Sequence, residues 1–166
     1  MNILVLCTGN SARSILLEAI LNCLGKGRLK AYSAGSKPIG TVNPYSIELL
    51  KKKGITKKFS SKSWTTFSTN SEITMDIVIT VCGNARDEEC PYWPGNPLRA
   101  HWGVPDPAYI NGSSSEKEIA FSKVYNISLT IGPYRIYPLL LPALEYLWLL
   151  FLHLRHHPLA PNPLCN

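Results

Sequence analysis

The chain opens on a continuous apolar run, Ile3-Leu4-Val5-Leu6, which ends in Cys7-Thr8-Gly9-Asn10-Ser11. A short aliphatic and β-branched run closed by turn residues reads as a strand buried on both faces. From Ser14 the spacing changes: Leu16, Leu17, Ile20, Leu21 and Leu24 recur at helical intervals, and Gly25 and Gly27 supply a stop. Leu29 to Ser33 predicts a second strand, closed by Ala34-Gly35. Asn43 or Pro44 starts a helix carrying Ile47, Leu49 and Leu50, and Gly54 ends it. Asp76 to Val81 is the strongest strand pattern and ends at Cys82; Leu98 to Trp102 adds a short strand, and Glu116 to Tyr125 a helix. Strands alternating with helices predict a single α/β domain with a four-stranded, mainly parallel sheet flanked by helices. Ligands of such sheets sit at the carboxyl ends of strands, where Cys7 and Cys82 both fall.

The pattern breaks near Asn126. Residues 1–125 form the domain just outlined, and residues 126–166 are a separate proline- and leucine-rich segment. That segment holds twelve leucines and six of the thirteen prolines, and between Arg135 and Arg155 only Glu145 is charged. Its apolar run approaches the length of a membrane span. Pro138, Pro142 and a central acidic residue argue against one, so the expectation is an apolar helix from about Pro142, packed on the body or on another copy.

Composition narrows the picture. A length of 166 residues with 45% hydrophobic residues fits one domain with a real core and excludes a disordered chain. The start shows four apolar residues where a signal peptide needs about 7–15 behind positive charge. Five cysteines, an odd number, make a poor disulfide scaffold and read better as reduced thiols in a cytoplasmic protein. A net charge of +6 implies attraction to an anion. Lys51, Lys52, Lys53, Lys57, Lys58 and Lys62 form a basic cluster without interleaved aromatics. A solvated helix end fits them better than a nucleic-acid surface.

The chemistry concentrates at Cys7 to Ser14. Cys7 and Arg13 form a C-x5-R element that follows a buried strand, contains a glycine and opens a helix. Thr8, Gly9, Asn10, Ser11, Ala12 and Ser14 would bind a tetrahedral oxyanion with backbone N–H groups at the positive helix end. Arg13 would add a bidentate fork. The same field would lower the Cys7 pKa and make a nucleophile, with Ser14 donating to its sulfur. Displacing oxygen also needs a proton donor, and Asp106, held between Pro105 and Pro107, is the candidate.

Cys82 and Cys90 form a C-x7-C segment on a polar loop expected to move. Zinc would want four ligands, and His101 is the one nearby histidine. A static disulfide is disfavoured in a reducing compartment, whereas a redox relay puts three thiols on one reaction path. Cys23 falls at helical spacing from Ile20 and Leu16 and reads as core.

Together these segments resemble the arsenate reductases of the low-molecular-weight protein tyrosine phosphatase family. The resemblance rests on CTGNSARS (7–14), AYSAGS (31–36), VNP (42–44), TVCGNARDEECPYWPG (80–95) and AHWGVPDPA (100–108). A tyrosine phosphatase of this fold is expected to show Asp-Pro-Tyr where this chain has Asp106-Pro107-Ala108. The resemblance implies that Cys7 attacks arsenate bound by the loop and Arg13 while Asp106 protonates the departing oxygen. It further implies that Cys82 resolves the adduct and that Cys90 takes over Cys82, leaving a disulfide for an external reductant. No bound cofactor is implied. Thioredoxin-coupled members use C-x6-C, so the donor expected here is thioredoxin, or glutathione with glutaredoxin. In one branch Asn10, Glu18 and Ser33 match positions resembling a potassium site. A phosphomonoesterase using only Cys7, Arg13 and Asp106, or an oxyanion sensor without turnover, are the alternative readings.

Overall fold

The computed structural model describes residues 1–68, 72–88 and 91–140, with backbone alone for Asp87 and residues 133–140. Cys90, Cys165 and the apolar stretch from Pro142 lie outside the described residues. The elements in chain order are β1 (Asn2–Cys7), α1 (Arg13–Gly25), β2 (Lys30–Gly35), α2 (Pro44–Lys52), α3 (Thr65–Ser68), β3 (Ile77–Thr80), α4 (Gly83–Asp87), β4 (Leu98–His101) and α5 (Ser114–Leu140). The four strands make one sheet in the order β2-β1-β3-β4, and every pairing is parallel. β1 is therefore a central strand. Its register sets Cys7 against Gly35 and Leu6 against Thr80, so the ends of β1, β2 and β3 converge on one edge.

The alternation of side chains along β1 separates the two faces of the sheet. Ile3, Val5 and Cys7 pack with Leu17 and Leu21 of α1 and with Ile77 and Ile79. Leu4 and Leu6 face the other way, onto Phe67, Met75, Val78 and Trp93. The opposite side of α1, through Ile15, Leu16, Ala19 and Ile20, meets Leu49 and Leu50 of α2 and Phe121, Val124 and Tyr125 of α5. Nearly the whole circumference of α1 is thus buried, and the single stripe expected from sequence is in fact two. Asn43 caps α2 by accepting the Tyr45 N–H at 3.0 Å, with Pro44 in the first turn.

Two differences from the sequence reading matter for the site. Residues 83–87 form a short helix rather than an open loop, with the Cys82 sulfur accepting the Ala85 N–H at 3.4 Å. Helix α5 does not stop at Tyr125: Ile127, Leu129 and Ile131 continue its contact with the two cores on that side. No helix among the described residues is long and apolar enough to cross a membrane. Cys7 and Cys82 are free thiols, and Cys23 lies half-buried against the second core.

Candidate active site

The five residues between β1 and α1 wrap around the end of the sheet, and their carbonyls are held outward. Cys7, Thr8, Gly9 and Ser11 accept backbone N–H groups from Ser36, Lys37, Ile39 and Asn43 at 3.3, 3.0, 3.1 and 3.0 Å. In a trans peptide the C=O and the following N–H point in opposite directions, so the amides of Thr8, Gly9, Asn10 and Ala12 turn inward. Asn10 adopts a left-handed φ of 45° that curls the loop into an anion-binding concavity. Its N–H already donates to the Cys7 sulfur at 3.1 Å. Gly35 permits this close approach: a Cβ there would lie 2.4 Å from the Thr8 carbonyl oxygen.

Cys7 is 3% exposed, with the Ser14 hydroxyl 3.0 Å from its sulfur. Burial pushes the Cys7 thiol up, and the hydrogen bonds from Ser14 and Asn10 only partly offset it. This corrects the lowered pKa expected from the loop pattern. The reason is burial, and Arg13 is engaged with other partners. Its guanidinium forms an ion pair with the Asp106 carboxylate and donates to the Val104 carbonyl at 3.4 Å. The second Asp106 oxygen accepts the Ala108 N–H at 3.0 Å, which fixes the carboxylate at the rim.

These groups share one cavity of about 420 Å³, lined by the loop, Lys37, Ile39, Cys82, Gly83, Asn84, Asp106, Ala108 and Tyr109. The Cys82 sulfur enters from the end of β3, 3.5 Å from the Thr8 hydroxyl. The structure thus brings Cys7, Arg13, Cys82 and Asp106 together around the oxyanion loop. Lys37, Ile39 and Tyr109 were not read as site residues from sequence. Tyr109 is 81% exposed, so an aromatic does stand at the rim, one residue beyond the position where a phosphatase motif would carry it.

Behind the loop lies a second polar cluster. Asn10 donates through Nδ2 to Ser14 and to Ser33, both at 2.9 Å, while its Oδ1 accepts the Lys62 N–H at 2.8 Å. Ser33 donates to Glu18 at 2.6 Å, and the other Glu18 oxygen accepts from the Lys57 ammonium at 3.2 Å. These residues do not fit a potassium ion. The Asn10 carbonyl is committed to Lys62, its amide nitrogen faces Ser33, and the Glu18 charge is already met by Lys57. Among the described residues no group of three or more His, Cys, Asp or Glu could hold a metal. Lys57 is exposed, as a solvated basic cluster predicts, and it also pairs with Glu18, a contact between residues 39 apart for which sequence carries no signal.

Comparison with known proteins agrees with this geometry. The model of the "low molecular weight phosphotyrosine protein phosphatase" family matches residues 2–127. An arsenate reductase from Bacillus subtilis is 36% identical over 119 residues, covering 72% of this chain and 83% of that protein. The crystal structure of an arsenate reductase from Archaeoglobus fulgidus superimposes with a TM-score of 0.59 at 22% identity, covering 78% of this chain and 98% of that one. The solution structure of a low molecular weight protein tyrosine phosphatase from Bacillus subtilis gives 0.58 at 21% identity, covering 79% and 94%. With its loop, strand order and relatives in agreement, the chain belongs to the low molecular weight phosphotyrosine protein phosphatase family.

Proposed function

We propose that the protein reduces arsenate to arsenite, with Cys7 as nucleophile and Cys82 and Cys90 as a disulfide relay. The observation that carries this reading is the presence of two free, buried thiols, Cys7 and Cys82, in the one cavity that also holds Arg13 and Asp106. A hydrolase of phosphate esters needs only the first thiol. The B. subtilis relative, named arsenate reductase, supports the same assignment.

Arsenate binding starts from the Arg13–Asp106 pair. An oxyanion seated on the inward amides competes with Asp106 for the guanidinium fork, and two oxygens can take both N–H donors. Arg13 then lies over the loop, where its charge favours the Cys7 thiolate against the desolvation that holds it protonated. Asp106, released beside the oxyanion, takes up the proton that Cys7 loses and hands it to a departing arsenate hydroxyl, which leaves as water when the Cys7 sulfur bonds to arsenic. The Cys82 thiolate next attacks the Cys7 sulfur. The sulfur–arsenic electron pair stays on arsenic, which leaves as arsenite(III), and a Cys7–Cys82 disulfide remains. Cys90 attacks Cys82, restores the Cys7 thiolate and forms Cys82–Cys90, which an external dithiol such as thioredoxin, or glutathione with glutaredoxin, reduces.

The test is arsenite formation under multiple turnover for wild type, Cys82→Ser and Cys90→Ser. Both variants should complete no more than one cycle with thioredoxin as donor. Full turnover by either one removes its thiol from the relay. Tyr109 at the rim favours a second reading, phosphate-ester hydrolysis by Cys7, Arg13 and Asp106 alone. Hydrolysis of p-nitrophenyl phosphate by Cys82→Ser, with arsenate left untouched by wild type, would select it.

A further inference from the structure

We propose that Lys57 is a positioning residue: its ammonium acts as a built-in monovalent cation that fixes the polar cluster behind the loop and, through Asn10, the hydrogen bonds to Cys7. This inference rests on Cys7 being the nucleophile, not on arsenate being the substrate. Glu18 is 5% exposed, and a buried carboxylate needs a counter-charge. Lys57 supplies it at 3.2 Å, and its ammonium also lies 5.4 Å from the centroid of the Phe59 ring. One face of the ammonium is therefore held by a carboxylate and another by a π-face.

From Glu18 the hydrogens run in one direction. An ionised carboxylate only accepts, so Ser33 must donate its hydroxyl to Glu18 and accept from Asn10. Asn10 is fully buried and left-handed, and it is the residue whose backbone N–H meets the Cys7 sulfur. Its side chain also donates to Ser14, which leaves the Ser14 hydroxyl hydrogen free for Cys7. Removing the Lys57 charge leaves Glu18 uncompensated at the root of this chain. The other cation facing Glu18 is Lys62, but its ammonium donates to the Ser60 carbonyl at 3.2 Å, and burial pushes it below the usual lysine range. It is a poor substitute. A small monovalent cation from solution is a better one, because the Glu18 oxygen that accepts from Lys57 would face it once the ammonium is gone.

The experiment follows Cys7 alkylation by iodoacetamide against pH in the full chain carrying Cys82→Ser, with intact-mass and peptide readout. Potassium, sodium or tetramethylammonium is the sole added cation at constant ionic strength. Wild-type Lys57 should give one profile in all three salts. Lys57→Met should react about tenfold more slowly at neutral pH in tetramethylammonium and recover in potassium or sodium, with its thermal midpoint moving in parallel. Lys57→Arg should behave as wild type, and Lys62→Met should show no cation dependence. If Lys57→Met is too unstable to assay, Glu18→Gln/Lys57→Met removes charge and counter-charge together and should be folded and cation-independent. A Lys57→Met profile identical to wild type, a loss that no cation restores, or cation dependence in the double variant overturns the proposal. Loss of arsenate reduction with an unchanged alkylation pattern would instead count against the reductase reading alone.

Discussion

Ser14→Ala isolates the hydrogen bond that most directly favours the Cys7 thiolate. The Ser14 hydroxyl lies 3.0 Å from the sulfur and is fully buried. A hydrogen bond to a charged group contributes about 1.5–3 kcal/mol, which corresponds to a rise of roughly one to two pKa units. Burial already holds the thiol above its ordinary value, so the rise adds to an existing one. The fraction of thiolate at neutral pH should therefore fall about 10- to 100-fold. Folding should suffer little. Alanine suits a first helical turn, and the Asn10 amide that loses Ser14 keeps Ser33 as acceptor. The assay is the pH dependence of Cys7 alkylation in the Cys82→Ser background, with the thermal midpoint as control. A Ser14→Ala profile that superimposes on the parent would refute the assignment of Ser14 as donor to the thiolate.

Three further outcomes are expected. Asp106→Asn keeps the shape but loses the proton and the ion pair, so turnover should fall about 10²- to 10⁴-fold, while inhibition by phosphate stays as strong or strengthens because Arg13 is released; weaker inhibition would mean that Asp106 helps bind the anion. Gly35→Ala sets a Cβ 2.4 Å from the Thr8 carbonyl and 3.1 Å from the Asn10 nitrogen, and should cost about 1–3 kcal/mol in denaturant unfolding together with phosphate binding. The third concerns pH and stability. A thiol whose folded pKa is raised lets the unfolded chain lose its proton first, so its contribution is complete below the unfolded value of about 8.5 and is lost as pH rises through the folded value. Cys7→Ala should accordingly flatten the alkaline fall in unfolding free energy, and an unchanged slope would contradict the direction of the shift.

The frame of the molecule was legible because its apolar runs are local signals. Ile3 to Leu6, the α1 leucines and Ile77 to Ile79 each declare an element within a few residues, and the parallel sheet follows from their alternation. Helix α4 was not legible: Gly83 to Asp87 carries glycine, asparagine and charge, and it forms where the Cys82 sulfur can cap it. The extension of α5 past Tyr125 was hidden by the change of composition at Asn126, although Ile127 and Leu129 still reach the same core. Helical spacing survived there after charge patterning had gone.

The site divides along the same line. A loop that collects N–H groups can be read from Cys7 to Ser14, because the donors are consecutive in the chain. What those donors do to the nucleophile cannot, since the balance depends on groups far away in sequence. Arg13 and Asp106 are 93 residues apart, and their pairing occupies the guanidinium that the loop pattern assigns to the anion. Desolvation pushes the Cys7 thiol up, against a sequence pattern that favours the thiolate. If an oxyanion draws Arg13 over the loop, as proposed, it would favour the thiolate, which is the reactive form. On the proposed mechanism, activation would then be tied to substrate binding, because the anion that the loop recognises competes with Asp106 for Arg13.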